Sequence, residues 1–356
     1  MNLSNHQPCD TDPEPGLMGL AERGWLPDVL IRYGIRRLLA QRLAEESRDG
    51  DAAAERRAKA LCDRLAKGPV AVKTAHANRQ HYEVPAAFYR HCLGYRLKYS
   101  GCTWPEGVRS LNQAEDAALA QVCERAQIAD GMDILELGCG WGSLTLWIAE
   151  HYRNARITAV SNSASQRVYI LDRAGRLGLG NVSVVTADMN DYENDRRFDR
   201  VVSVEMFEHM ANHRELMRRV AGWLREDGKL FVHVFSHLKY TYLFEEEGRS
   251  NWMGRHFFSG GMMPGHNYLP GIDGHLRCEE GWWLDGTHYQ KTAEAWLRNT
   301  DMARGEILPV FEEVYGRSSA GLWLQRWRIF FMACAELWGY DGGREWGVSH
   351  YRFVKC

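Results

Sequence analysis

"MDILELGCGWG", residues 132–142, decides the fold. A short apolar run breaks into three glycines spaced two apart, Gly138, Gly140 and Gly142, with Glu136 two positions ahead of the first. Such a run reads as a buried strand followed by a tight backbone turn. Further apolar runs follow: "ARITAVSNS" (155–163), "NVSVVTADM" (181–189), "FDRVVSVEM" (198–206) and "KLFVHVF" (229–235). Segments of helical length separate them, among them "SASQRVYILDRAGRLG" (163–178) and "ANHRELMRRVAGWLRE" (211–226). Strands alternating with helices predict an α/β fold with a doubly wound, mostly parallel sheet covered on both faces. Ligands of such sheets sit beyond the carboxyl ends of the strands.

The glycine loop narrows the ligand. A dinucleotide fingerprint, G-x-G-x-x-G, would place its third glycine where Ser143 stands, and it carries no acid at the position of Glu136. S-adenosylmethionine has no pyrophosphate, and its site needs room for an amino acid and a sulfonium. Asp188, at the end of the third strand, is placed to accept from an adenine amine. The second strand ends without an acid for the ribose hydroxyls. Asn162 and Gln166 are neutral substitutes there, or else they serve the next helix, which Ser161 to Ser165 would cap well. The loop, the strand order and Asp188 together point to S-adenosylmethionine, with a nicotinamide-type enzyme as the remote alternative.

The fourth strand ends in "VEMFEHM" (204–210). Two acids and a histidine at a strand end are, by themselves, an ordinary solvated loop. On this sheet they fall beside the methyl group to be transferred, and that changes their meaning. Methyl transfer is an in-line displacement, so alignment is the main task. An alkyl amine must lose its proton before it attacks, and a desolvated carboxylate or imidazole takes it. Glu208 and His209 are the base candidates, and Glu205 positions the substrate or a catalytic partner. His233, inside "LFVHVF", reads equally well as a buried, hydrogen-bonded core histidine. Cys139 reads as a small packing residue between glycines.

Around this core, residues 1–15 ("MNLSNHQPCDTDPEP") are expected to be a disordered leader, residues 16–120 a helical N-terminal cap, and residues 121–356 the cofactor-binding domain. In "GWLPDVLIRYGIRRLLAQRL" (24–43), Leu26, Val29, Leu30 and Tyr33 mark an apolar helix face, expected to pack inward while the arginines are solvated. Residues 237–290, rich in Gly, Pro, Met and aromatics, break the alternation and predict a lid or pocket wall. After them come an apolar helix, a Gly-Gly turn and a last strand. With 45 % hydrophobic and 25 % charged residues and a net charge of −2, nothing predicts a nucleic-acid partner. The nine cysteines form no C-x-x-C pair, which predicts reduced thiols, no metal site and a cytoplasmic protein. No stretch approaches the ~18 apolar residues of a membrane span.

From about residue 76 onward the chain resembles the cyclopropane-fatty-acid-synthase superfamily, the coclaurine N-methyltransferase branch above all. The resemblance rests on "HYEVPAAFY", "LKYSG", "LELGCGWGSL", "SNSASQ", "EMFEHM", "FVHVFSH", "FFSGGMMP" and "AELWGYDGGREW". It implies a Rossmann-like class I methyltransferase fold. It also implies that Tyr99 and Ser100 help Gly138, Gly140, Asn162, Gln166 and Asp188 hold the cofactor, and that Glu205, Glu208 and His209 serve the chemistry on an amine. Lipid-modifying members instead hold a bicarbonate base with a Cys two residues after that Tyr, the Glu-His pair, a later His and a Tyr. Here that position is Gly101, with Cys102 one further on, while His233 stands as the later histidine. The expected substrate is therefore a small amine, with an unsaturated phospholipid at a membrane surface as the alternative. A cofactor-binding protein without catalysis is the third reading. The chain is compatible with a homodimer.

Overall fold

The computed structural model describes residues 12–72, 84–244, 251–258, 260–272 and 274–356. Five parallel strands form the first part of the sheet: β1 (Asp133–Leu137), β2 (Arg156–Ser161), β3 (Val182–Thr186), β4 (Phe198–Val204) and β5 (Leu224–His237). Of the later strands, β6 (Tyr242–Leu243) and β7 (Met262–Met263) pair only with each other, while β8 (Leu276–Asp285) and β9 (Trp346–Lys355) complete the main sheet. Its order is β3-β2-β1-β4-β5-β9-β8, with β9 antiparallel to both neighbours. The order reverses between β1 and β4, and a crevice for ligands opens at such a reversal.

Period-two alternation divides the core. Ile134, Ile157, Val202 and Phe231 pack on one side with α5 (Leu111–Arg125), α6 (Ser143–His151) and α7 (Ala164–Arg176). Leu135, Leu137, Val201 and Leu230 pack on the other with α8 (His213–Trp223). Neighbouring residues of one strand thus serve opposite layers, as the pleat requires. α5 starts on a capping box, Ser110 with Gln113, and feeds residues into two cores, so the expected cap boundary at 120 falls inside a helix.

A third core joins α1 (Leu17–Glu22), α2 (Asp28–Ser47) and α4 (Ala86–Cys92) to the long C-terminal helices α10 (Thr287–Met302), α11 (Arg304–Tyr315) and α12 (Ala320–Gly339). α3 (Asp51–Leu65) follows α2. On α2 the expected orientation is reversed. Leu26, just ahead of α2, packs on the core as expected, but Val29, Leu30 and Tyr33 are exposed, whereas Ile31, Ile35, Leu39 and Leu43 pack inward. Arg32 is partly buried and pairs with Glu294 and Glu336, while Arg36 remains exposed and pairs with Glu336. Apolar residues on most sides of α2 left the packing face undetermined, and the side that meets the C-terminal helices carries Ile31, Ile35, Leu39 and Leu43.

The expected insertion at 237–290 is also narrower. It holds the β6–β7 pair and α9 (Trp252–His256), but 276–285 is a strand of the main sheet and α10 begins at Thr287. Of the expected leader, residues 1–11 lie outside the described residues. Glu14, within it, is fixed by Arg255 and His256 of α9. Residues 66–71 continue from α3 on the α8 side of the sheet, where Val70 and Ala71 join its core. Asn190 bonds both backbone groups of Ala71, and Asn212 donates to the carbonyls of Ala66 and Gly68. No described helix is long and apolar enough to cross a membrane.

The N-terminal helices and the insertion meet on one buried ion pair. Glu22 accepts from Arg326 Nε at 3.0 Å, from the Trp252 indole at 2.7 Å and from the Glu14 amide at 2.7 Å. Both side chains of the Glu22–Arg326 pair are fully buried. Arg326→Met would strand the Glu22 carboxylate, and it is expected to cost about 3–5 kcal/mol in urea unfolding.

Candidate active site

Of the glycines after β1, Gly138 and Gly140 shape the floor of a cavity in the crevice, whereas the expected cofactor residue Gly142 lies outside its lining and packs toward Ile170. Gly138, Gly140 and Gly142 take φ of 79°, 52° and 80°. A Cβ on Gly138 would lie 2.7 Å from Met206, and one on Gly142 2.6 Å from Ile170. A Cβ on Gly140 would meet nothing within 4 Å, because that glycine faces open space. Gly138, Gly140, Asn162, Gln166 and His209 line the cavity, together with Ala71 and Val72 of the N-terminal segment, Ser161, and an apolar wall of Val160, Ala187, Met189, Met206 and Met210. Ser163 caps α7 by accepting from the Gln166 amide, while the Gln166 side-chain oxygen accepts from the Ser161 hydroxyl at 2.6 Å at the cavity edge. Asp188 sits between two lining residues and accepts from the Asn190 amide at 2.8 Å.

Glu136 does not reach this cavity. It is 2 % exposed and accepts a hydrogen bond from the Thr145 hydroxyl in the first turn of α6. Burial raises its carboxyl to about 8. Its place in the sequence pattern reflects support beneath the loop, where it ties the end of β1 to the start of α6. Tyr99 and Ser100 also stand outside the cavity lining. Tyr99 packs against Tyr89, Trp296 and Trp327, and Ser100 accepts from the buried Lys98 ammonium at 2.7 Å. The loop that carries them is anchored by Glu115, whose carboxylate accepts from the amides of Gly94, Arg96 and Lys98.

The end of β4 is where the charges gather. Glu205 has φ 48°, a left-handed conformation that costs a non-glycine residue energy and is typical of functional sites. Its carboxylate accepts from the Gly101 amide at 2.8 Å, the Tyr289 hydroxyl at 2.8 Å and His233 Nε2 at 3.2 Å. Burial raises this carboxyl, against the pull of Lys98, Gly101 and Tyr289. Glu208, in the 3-10 turn Phe207–His209, is fully buried, and both its oxygens lack a hydrogen-bond partner among the described residues. Burial, and then Glu205, push its carboxyl well above the usual range, so Glu205 ionises first. The turn is held by His213, whose Nε2 donates to the Phe207 carbonyl at 2.8 Å.

Rings connect the two acids' surroundings. His209 stacks on Phe258 at 4.5 Å, Phe258 meets Phe235, Phe235 meets Trp338, and Trp338 stacks on Tyr289 at 4.6 Å. Sequence reasoning placed His233 and the 205–209 acids together and missed Lys98, Glu115 and Tyr289. Their partners lie far away in the chain, and no local spacing marks them. The first part of "HYEVPAAFY" lies outside the described residues.

A family model, mycolic acid cyclopropane synthetase, matches residues 71–340. The chain belongs to this family. Within the mycolic acid cyclopropane synthetase family it is similar to the (S)-coclaurine N-methyltransferase of Thalictrum flavum subsp. glaucum, with 34 % identity over 343 residues and 95 % of each chain covered. The solved structure of coclaurine N-methyltransferase bound to N-methylheliamine and SAH matches with a TM-score of 0.91 at 34 % identity, over 94 % of this chain and 98 % of that one. The cyclopropane-fatty-acyl-phospholipid synthase of Escherichia coli (strain K12) is 27 % identical over 271 residues, covering 72 % of this chain and 68 % of that one. The protein is thus an S-adenosylmethionine-dependent methyltransferase of the mycolic acid cyclopropane synthetase family, on a class I fold.

The cavity fits that cofactor. It joins an apolar methionine-rich wall to two neutral amides and a glycine backbone open to close approach. Gly140→Val fills this opening without striking the protein. It is expected to weaken S-adenosylmethionine binding at least about tenfold by calorimetry, while the left-handed strain costs about 1–3 kcal/mol of stability.

Proposed function

We propose that the enzyme methylates the nitrogen of a small, ring-bearing amine, with Glu205, Glu208 and His209 serving the chemistry. One observation carries this reading: a fully buried carboxylate, Glu208, without a hydrogen-bond partner among the described residues, at the strand end beside the cofactor cavity. Orphaned buried polar groups are costly, and an ammonium is the ligand that would satisfy this one. The rings from His209 to Tyr289 supply apolar and cation–π surface for the rest of such a molecule. The relatives named for coclaurine methylation support the same substrate class.

S-adenosylmethionine supplies an electrophilic methyl group on its sulfonium; Gly138, Gly140, Asn162, Gln166 and Asp188 would hold it, with Tyr99 and Ser100 acting from the neighbouring loop. As the ammonium enters, Glu208 releases its own proton to bulk solvent and the two form an ion pair. In dry surroundings both charges are disfavoured, so the proton moves to the carboxylate and leaves a neutral amine with a free lone pair. His209, on the cavity wall, is the second acceptor. Glu205, fixed by its three donors, acts as the stationary anion that steers and orients the cation.

The same geometry disfavours lipid cyclopropanation. A bicarbonate would need the donors that Glu205 already occupies, Gly101, His233 and Tyr289. Cys102 donates instead to the Ser100 carbonyl, and burial raises its thiol to about 12. With trideuteromethyl S-adenosylmethionine, a pool of cyclic amines is expected to yield products carrying all three deuteriums. Product only from unsaturated phospholipid vesicles, retaining two deuteriums, would overturn the proposal.

Glu208 also links function to stability. Its folded carboxyl is raised above the unfolded value, so the folded state holds a proton that the unfolded state has lost, and stability falls as pH rises between the two. Glu208→Gln carries no such penalty. It is expected to raise Tm, increasingly from pH 5 to pH 8 and by about 2 °C or more at the upper end. In the same variant kcat/KM for the amine is expected to fall about 10²- to 10⁴-fold.

A further inference from the structure

His233, one of the three donors to Glu205, is itself held from behind. It lies on β5 directly opposite His350 of β9, and His350 Nε2 is 2.8 Å from His233 Nδ1. On the other side, Arg125 at the end of α5 places a guanidinium nitrogen 2.7 Å from His350 Nδ1. The chain of contacts therefore runs Arg125, His350, His233, Glu205, through two imidazoles that are 1 % and 3 % exposed. Arg125 is the half-buried end, with its guanidinium over the Trp282 ring at 5.0 Å.

The chemistry of its end groups fixes the direction of this chain. A guanidinium only donates, so His350 must accept at Nδ1 and carry its hydrogen on Nε2. His350 Nε2–H then donates to His233 Nδ1, which puts the His233 hydrogen on Nε2, where it donates to Glu205. A carboxylate only accepts, so both ends demand the same sense. We infer that Arg125 and His350 are positioning residues for the transfer reaction, which lock His233 as a neutral donor to Glu205 and thereby fix the anion of the site. The inference deepens the amine reading and rests on it for its effect on turnover; the hydrogen-bond sense stands apart from any substrate.

The charges around the pair agree. Lys98 and Arg125 face the two imidazoles, Glu205 terminates the chain, and Phe231 and Trp282 flank His350 from β5 and β9's other neighbour, β8. Burial, with Lys98 and Arg125, holds both histidines well below their ordinary value, so neither carries a second proton at neutral pH. The polarity has a further consequence. Hydrogens point toward Glu205 along the whole chain, so a proton taken from an amine has no exit toward Arg125 without reversing both tautomers. His233 is consequently a fixed donor, not a base.

Nitrogen-15 spectra of histidine-labelled full-length protein test the assignment, with His350→Gln and His350→Phe identifying the signals. Both His233 and His350 are expected as neutral Nε2–H tautomers from pH 6 to pH 9; a native His350 or His233 protonated on Nδ1 would overturn the inference. In His350→Phe the His233 signal is expected to shift toward a mixed or protonated state, kcat to fall about 10- to 100-fold, and the acid limb of its pH profile to move, with the dissociation constant of S-adenosylmethionine unchanged. His350→Gln, whose amide N–H₂ reaches the same place as Nε2–H, recovers most of that loss. Arg125→Met, at the half-buried end, shifts the spectrum and kcat in the same direction and serves should His350→Phe fail to fold. Equal losses in His350→Gln and His350→Phe with an unaltered His233 spectrum would reduce His350 to a packing residue. If no amine is methylated but the tautomers are as stated, the amine reading fails and the directed chain survives.

Discussion

The carboxylate of Glu205 draws on parts of the chain that have little else in common: an amide from the loop at Gly101, an imidazole from β5 and a phenol from the start of α10. A buried anion is tolerated only when donors surround it, and here the donors come from the N-terminal half, the sheet and the C-terminal helices. The backbone of Glu205 is bent into a left-handed conformation at the same point, with its amide bonded to the His233 carbonyl. Strain at one residue and satisfaction of one charge therefore fix how three layers meet. The orphaned Glu208 is the complement of this arrangement. Among the described residues, only Glu205 of these two buried acids has hydrogen-bond donors, and the proposed amine would serve the other.

The periphery follows a similar rule at larger scale. Glu22 gathers α1, α9 and α12 through Arg326 and Trp252, so the helical extension and the insertion share one polar anchor inside an aromatic core. The 66–71 segment does the same for the cofactor cavity, where Ala71 is both a lining residue and a backbone partner of Asn190. The extension is thus a wall of the site as well as a cap on the fold.

Much of this was legible in the sequence where a local pattern carries the information. The glycines after "MDILEL", the alternation of strands and helices, and the "VEMFEHM" break each depend on neighbours a few residues away, and they located the sheet, the glycine-lined cavity and the strand end on which the proposed chemistry rests. Glu136 shows the limit of a motif. Its spacing to Gly138 is regular because it braces Thr145 beneath the loop, and pattern alone does not separate bracing from binding. The face of α2 was misread for another reason: the helices that cover its inward side, and the acids at 294 and 336 that pair with Arg32, are distant in sequence. Lys98, Glu115, Tyr289 and the His350 pairing are invisible for the same cause, since each acquires meaning only from a partner on another element.

Gly101 lies directly against the ring that helps to hold Glu205. A Cβ there would lie 2.9 Å from the Tyr289 ring, so a larger residue at 101 has no place until that ring moves. The ring in turn is stacked flat on Trp338 and bonded to Glu205. Any side chain at this position would displace the Tyr289 ring, and with it one of the three donors that hold Glu205.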